Sequence, residues 1–296
     1  MVNAQEAVSE PQGCSPVRNT ALQLRAPVET LMVPMLVLLS LAFVVPILTF
    51  LAHALIYADG SLLDLFRRQI ASETVRYALW ATFWWAAIVT VATLIIAFPL
   101  AYVMAHASKW LHIAILVSVI IPYFTSVIVR TYSWMVILGS HGLVNDLFLR
   151  LGWISQPLPL LYNKIGAVIG MTYVLLPYLV LTLYSAMRGI DRNLIRAARS
   201  LGASPTLIFV RVYLPLSVHG VLSGGLIVFI HAMGAFVTPA LMGGPSDVLI
   251  AMLIQQNIDL TLDWPSAALL SIILLAATLL LYAVYCRFAR VERMLG

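Results

Sequence analysis

Apolar residues gather in six long runs along this chain: approximately Leu31–Ile56, Tyr77–His106, Leu111–Val129, Ile165–Met187, Ser217–Met242 and Trp264–Cys286. Each comes close to the ~20 residues that a helix needs to cross the hydrocarbon layer of a bilayer. The pattern predicts an all-α integral membrane protein with six transmembrane helices. Ahead of the first run lie thirty mixed and polar residues that include Glu6, Glu10 and Glu29. That run is longer than the core of a signal peptide, so it is expected to stay as a transmembrane helix behind a flexible tail. The predicted organisation is a tail over 1–30 and one six-helix domain over 31–296.

Composition points the same way. Hydrophobic residues make up 62% and charged residues 10% of the chain, against roughly 25% charged in a soluble domain. Mean hydropathy is +0.98. The net charge is +5, but the basic residues are not interleaved with aromatics on a soluble face, so no nucleic-acid partner is expected. Cys14 and Cys286 stand at opposite ends and suggest neither a disulfide framework nor a metal site. Loop charges set an orientation. With both termini cytoplasmic, the inside segments hold Arg18, Arg25, Lys109, the five arginines from Arg188 to Arg211, and Arg287, Arg290 and Arg293. The six other basic residues fall outside, a bias that fits the positive-inside rule.

The most charged and turn-punctuated stretch is Ile190–Leu216, between runs four and five. Asp191 is placed to cap a helix through its side-chain oxygen. At ~100° per residue, Arg192, Arg196 and Arg199 share one face, with Leu194, Ile195, Ala198 and Leu201 broadly opposite. Gly202 is placed to end that helix in the left-handed region, and Ser204-Pro205 reads as the cap and first turn of a second helix. The result is a compact cytoplasmic knob between helices four and five, with a small-residue face suited to docking.

The order Ala197-Ala198, Gly202, Phe209, Val212, Leu214-Pro215 resembles the "EAA" cytoplasmic loop of binding-protein-dependent ABC importer permeases. The family's acidic first position is Arg196 here. Three other stretches resemble the spermidine/putrescine branch of that family: Pro122 to Met135, Met171 to Met187, and Phe236 to Gly244 followed by Asp263-Trp264-Pro265. The resemblance implies a six-helix permease subunit of the type I fold in a bacterial inner membrane. Its implied partners are a cytoplasmic ABC ATPase dimer, a second related permease, a periplasmic solute-binding protein and the lipid bilayer. ATP and Mg would be bound by the ATPase, and no cofactor by this chain. The implied coupling residues are Arg196, Ala197, Ala198, Leu201, Gly202, Leu214 and Pro215. The implied cargo is a polyamine, with an opine, another amine or an organophosphonate left open.

Candidates for the passage are Tyr123, Ser126, Arg130, His231 and Thr238. Two roles fit Arg130, near the outer end of run three: snorkelling to headgroups, or facing the passage or a docked partner. Two fit His231 as well: a neutral histidine bonded to a neighbouring helix, or a lining residue. Gly166-x-x-x-Gly170 in run four and Gly220-x-x-x-Gly224, followed by Gly225, in run five are spaced for close helix approach in lipid. Pro177 is expected to weaken run four's hydrogen-bond ladder. Asp59 to Arg76 suits a short helix on the membrane surface. Gly139 to Lys164 suits an external platform, with His141 a solvated loop residue.

No G-x-x-x-x-G-K-[ST] phosphate cradle occurs, so the chain is not expected to hydrolyse ATP itself. H-E-x-x-H, G-x-S-x-G and C-x-x-C are also missing from the sequence. No acid lies inside the six runs, which counts against the alternative of an ATP-independent secondary transporter or channel, where an ion path usually buries a carboxylate.

Overall fold

The computed structural model describes residues 25–56 and 62–295, and they are almost entirely helical. The N-terminal tail and Cys14 lie outside them. Contacts divide the chain after Phe50. The first unit is taken up by most of α1 (Arg25–Ile56), an apolar helix interrupted by Pro34 and Pro46.

The second unit carries the rest. In chain order it holds α2 (Leu62–Ala71), α3 (Glu73–His106), α4 (Lys109–Tyr123), α5 (Val127–Leu138), α6 (Leu143–Arg150) and α7 (Lys164–Arg188). Then come α8 (Arg192–Ser200), α9 (Pro205–Ile208), a π-helical turn over Phe209–Tyr213, α10 (Leu214–Met233), α11 (Val237–Met242), α12 (Ile250–Asp259) and α13 (Trp264–Leu295). Among the described residues six stretches are long and apolar enough to cross a membrane. α2 is the short helix expected before the second of them, and Gln69 Nε2 donates to Ser266 Oγ at 2.7 Å, tying it to the start of α13.

α3, α7 and α10 pack most closely. Their shared core includes Val89, Ala97, Ala101, Leu179, Leu183 and Val228, all fully buried. Small residues make the approach possible. A Cβ on Gly220 would lie 2.5 Å from the Cβ of Ala186, and one on Gly224 would lie 2.6 Å from Leu179 Cδ1. These two glycines therefore seat α10 against α7, as their spacing predicts. The other pair behaves differently. Gly170 faces Met242 and Thr238 of α11, and Gly166 abuts the backbone carbonyl of Leu160.

Two expected spans are not single helices. Run three breaks at Phe124–Ser126 into α4 and α5, and the membrane-length stretch there is Val127–Arg150 rather than Leu111–Val129. Pro122 supplies no N–H to the last turn of α4, and Phe124 and Thr125 bond only three residues back. Run five stops at Met233, breaks at Gly234–Phe236 and resumes as α11. At its other end it begins twelve residues early, at Pro205, because α9, the π turn and α10 are continuous.

The segment between α5 and α7 folds on Asn145, which is fully buried. Its Nδ2 donates to the carbonyls of Gly139 (2.9 Å) and Leu158 (3.1 Å), and its Oδ1 accepts from Leu158 N–H at 2.8 Å. One side chain thus closes the loop from Gly139 to Leu158, and His141 is exposed on it.

Candidate functional site

The knob forms as its residues dictate. Asp191 accepts from Asn193 N–H at 2.9 Å and Ser204 from Leu207 N–H at 3.3 Å, so both short helices are capped. Gly202 has φ +79°, the left-handed turn that joins them, and a Cβ there would meet nothing within 4 Å. The requirement at Gly202 is therefore one of backbone conformation rather than of space.

The faces of α8 differ from the expected division. Leu194, Ala197 and Leu201 form an outward stripe, with Leu194 49% and Leu201 87% exposed. Ile195, Arg196 and Arg199 line a cavity of about 300 Å³ on the opposite side, together with Tyr102 and His106 of α3 and Pro205, Ile208, Phe209 and Tyr213. At ~100° per residue Ile195 stands about 40° from Arg199 and about 100° from Leu194, so it sides with the arginines rather than opposite them. Arg196 and Arg199, themselves exposed, border the cavity on the side of the bundle, and the apolar stripe turns away from it. Ala198 is half-buried between them.

Behind the knob, Leu214-Pro215 is not a separate hinge but part of a continuous helix. Pro215 offers no N–H to the carbonyl of Arg211, and the turn before it widens so that Leu214 N–H reaches Phe209 O, five residues back. Such π turns occur within α-helices, often at functional positions. This one is held by aromatic rings: Tyr102 lies 5.4 Å from Phe209 and 5.0 Å from Tyr213, edge to face, and His106 lies 5.2 Å from Tyr213.

A second constellation lies where two membrane runs break beside a proline-bearing helix. The α4–α5 break at Phe124–Ser126, Pro177 inside α7 and the α10–α11 break at Gly234–Phe236 meet in one layer. Tyr123 packs edge to face on Tyr178 at 5.3 Å, and Tyr178 lies tilted against His231 at 4.7 Å. Tyr123 is 40% exposed and His231 is exposed too. The histidine does not bond a neighbouring helix: its Nδ1 faces the carbonyl of Ile227, one turn back, at 3.0 Å. A carbonyl only accepts, so Nδ1 carries the proton there.

Arg130 turns inward rather than out to headgroups. Its Nη1 donates to Val174 O at 3.3 Å, and its Nε is buried without a partner. Val174 stands next to Tyr173, the carbonyl that Pro177 leaves without its helical donor. Ser126 is exposed at the start of α5, without a side-chain cap bond. Thr238 is buried and shares a 3.0 Å hydrogen bond with Thr131. It lines an apolar cavity of about 180 Å³ with Val127, Val174 and Gly234–Val237, beside the aromatic row rather than in it.

Two residues escaped the sequence reading. Tyr178 joins Tyr123 to His231, and its place directly after Pro177 was the available signal. Asp247 is a buried carboxylate between runs five and six. It accepts Gly244 N–H at 2.9 Å and lies 3.8 Å from Lys164 Nζ, so it clasps the turn after α11 to the start of α7.

Membrane-length helices broken in one layer, with an everted helix–turn–helix knob at one end, describe the membrane-embedded subunit of a transporter. The chain belongs to the family of binding-protein-dependent transport system inner membrane components, whose profile matches residues 97–293. It is 33% identical over 249 residues to the spermidine/putrescine transport system permease protein PotB of Haemophilus influenzae, covering 82% of this chain and 87% of that one. The Escherichia coli protein of the same name is 35% identical over 205 residues, which cover 69% of this chain and 74% of the relative. Its fold is similar to that of a bacterial alginate ABC transporter solved with an alginate pentasaccharide-bound periplasmic protein. There the TM-score is 0.77 at 16% identity, with 91% of this chain and 96% of the other covered. The chain is thus a multi-pass permease subunit of an ABC importer, and the reading as an ATP-independent carrier or channel gives way.

Proposed function

We propose that this chain forms half of the passage by which an ATP-driven importer in a bacterial inner membrane carries a polyamine into the cytoplasm. A second, related permease supplies the other half, and a periplasmic binding protein delivers the cargo. Both termini and α8 lie on the cytoplasmic side, where an ABC ATPase dimer binds ATP and Mg. The observation that carries the reading is the row Tyr123–Tyr178–His231 at the helix breaks. Non-helical backbone at membrane depth is tolerated only where protein or water covers it, and broken helices mark the site in many transporters.

The chemistry suits an organic cation held weakly. Ring faces attract ammonium groups by about 0.5–2 kcal/mol each, and the row contains no carboxylate to trap them. Arg130 nearby keeps the local potential positive. A passage must bind its cargo well enough to admit it and loosely enough to release it. At the other end, the stripe Leu194, Ala197 and Leu201 seats in a cleft of the ATPase. Closing of the ATPase dimer moves α8, and the continuous helix from Pro205 to Met233 carries that displacement to Gly234. Rigid rocking of packed helices then exchanges inward- for outward-facing states.

The test is purification of the complex from native membranes, then uptake of labelled spermidine and putrescine into vesicles loaded with ATP. An ATPase and a second permease should co-purify, and uptake should stop with vanadate. Transport by the chain alone would overturn the reading, and uptake of some other solute in place of polyamines would overturn its choice of cargo.

A further inference from the structure

We propose that the cavity between α8 and the end of α3 is a binding site for a phosphate-type oxyanion, supplied by an anionic lipid headgroup or by free phosphate. The proposal rests on the geometry of the knob and goes beyond the reading of passage and cargo.

The cavity of about 300 Å³ is lined by the guanidinium-bearing residues Arg196 and Arg199, with His106, Tyr102 and Tyr213 around them. Like charges turned towards the same space repel each other unless an anion joins them. The ion pair Lys164–Asp247 lies at the far end of α7, and neither arginine is paired with a described carboxylate. Asp191, the acid nearest in sequence, is engaged as the α8 cap.

A purely structural role would have the arginines bonded to the last carbonyls of α3, whose dipole attracts cations. Two of those carbonyls are served otherwise: Val103 O accepts Ala107 N–H at 2.8 Å, and Met104 O faces His112 Nδ1 at 3.0 Å. Tyr213 lines the cavity through its ring, with its hydroxyl just behind that surface. It is 3% exposed and its hydroxyl is buried with no hydrogen-bond partner, a state that costs about 1–3 kcal/mol unless a ligand or a small shift relieves it. Guanidinium groups match phosphate oxygens two bonds at a time.

Position supports both sources. Tyr102 and His106 close one membrane-length helix and Pro205 to Tyr213 open another, which places the cavity at headgroup level and open to the aqueous side. The apolar stripe of α8 faces the other way, so an anion here does not compete with a partner on that stripe. A bound anion would tie α8 to α3.

The experiment uses the purified transporter, delipidated in detergent or reconstituted in nanodiscs. Inorganic phosphate is titrated against chloride at equal ionic strength, with the thermal midpoint as readout. In parallel, native mass spectrometry measures retention of phosphatidylglycerol against phosphatidylcholine. Wild type should be stabilised by phosphate or retain phosphatidylglycerol selectively. Arg196→Gln with Arg199→Gln should weaken that binding at least tenfold, the loss expected for one charge-assisted hydrogen bond. Tyr213→Phe, which keeps the ring packing, should weaken it less, and Arg199→Lys should keep part of it. Phosphate binding without lipid selectivity assigns the free ion, and selective retention assigns the headgroup. Equal binding by wild type and the arginine double variant would overturn the proposal. So would binding that appears in the permease pair and vanishes when the ATPase is added, because a carboxylate of the ATPase would then be the occupant.

Discussion

Single residues in this chain divide by what surrounds them rather than by type. Gly220, Gly224 and Gly225 share one run, yet a Cβ on Gly220 would meet the rigid Cβ of Ala186 at 2.5 Å, whereas one on Gly225 would find Thr90 at an ordinary 3.8 Å. Gly220→Ala should therefore cost about 1–3 kcal/mol of stability by forcing α10 off α7. Gly225→Ala should be neutral or gain up to about 1 kcal/mol from helix propensity. Thermal unfolding in detergent compares the two, and equal midpoints would remove Gly220 from the helix contact. The small-x-x-x-small spacing is legible in sequence, but which of the run's three glycines face the neighbouring helix is settled only by packing. The caps Asp191 and Ser204 were legible for the opposite reason: each bonds an N–H two or three residues away, so nothing distant is needed to place them.

At the scale of elements, the knob is defined by one turn and one stripe. Gly202→Asp should leave the chain folded, since a Cβ there meets nothing and Asp tolerates the left-handed region better than most residues. It puts a charge at the tip of the knob, so ATP hydrolysis by the complex should continue while uptake falls. Full uptake by that variant would sink the coupling role of Gly202. Leu194→Asp separates docking from folding in another way. An acid in the first turn of α8 favours the helix dipole, so the helix persists while the outward stripe is interrupted. Full burial of a leucine is worth about 1.5–3 kcal/mol, so co-purification of the ATPase should fall by tenfold or more. Undiminished capture would show that the ATPase does not cover that stripe. The two-faced character of α8 was legible, but one member was placed on the wrong face: Ile195, grouped with the leucines, borders the cavity beside Arg196 and Arg199. The breaks were missed because Phe124–Ser126 and Gly234–Phe236 lie within apolar text. A tally of hydrophobicity runs through them, although Pro122, Ser126 and Gly234 punctuate both places.

For the molecule as a whole, the six-run pattern carried the fold class correctly, and the two corrections to it share one origin. A membrane helix is expected to satisfy its own backbone, so an apolar run reads as continuous unless another body relieves the requirement. In this chain two runs are broken in the same layer, around Tyr178. Tyr178→Ala, which removes the centre of the aromatic row, should lower cargo uptake several-fold at unchanged ATPase level in the complex. Tyr178→Phe should retain most of it, because the ring face rather than the hydroxyl meets the cation. Uptake measured in vesicles at matched expression decides this. Loss with both variants would shift the role to the hydroxyl.

The breaks also bear on the life of the chain before assembly. Phe124–Ser126 is exposed on the chain by itself, and helical bonding lapses there into three-residue turns, which lipid tails cover less well than continuous helix. Made without its companions, the chain should be poorly matched to lipid at that break and more open to membrane proteases. Expression of this chain by itself should yield short-lived material, and synthesis alongside its companions should lengthen its half-life in a pulse-chase. The feature proposed to line the passage would then also act as a checkpoint, sparing only copies that have found their partners.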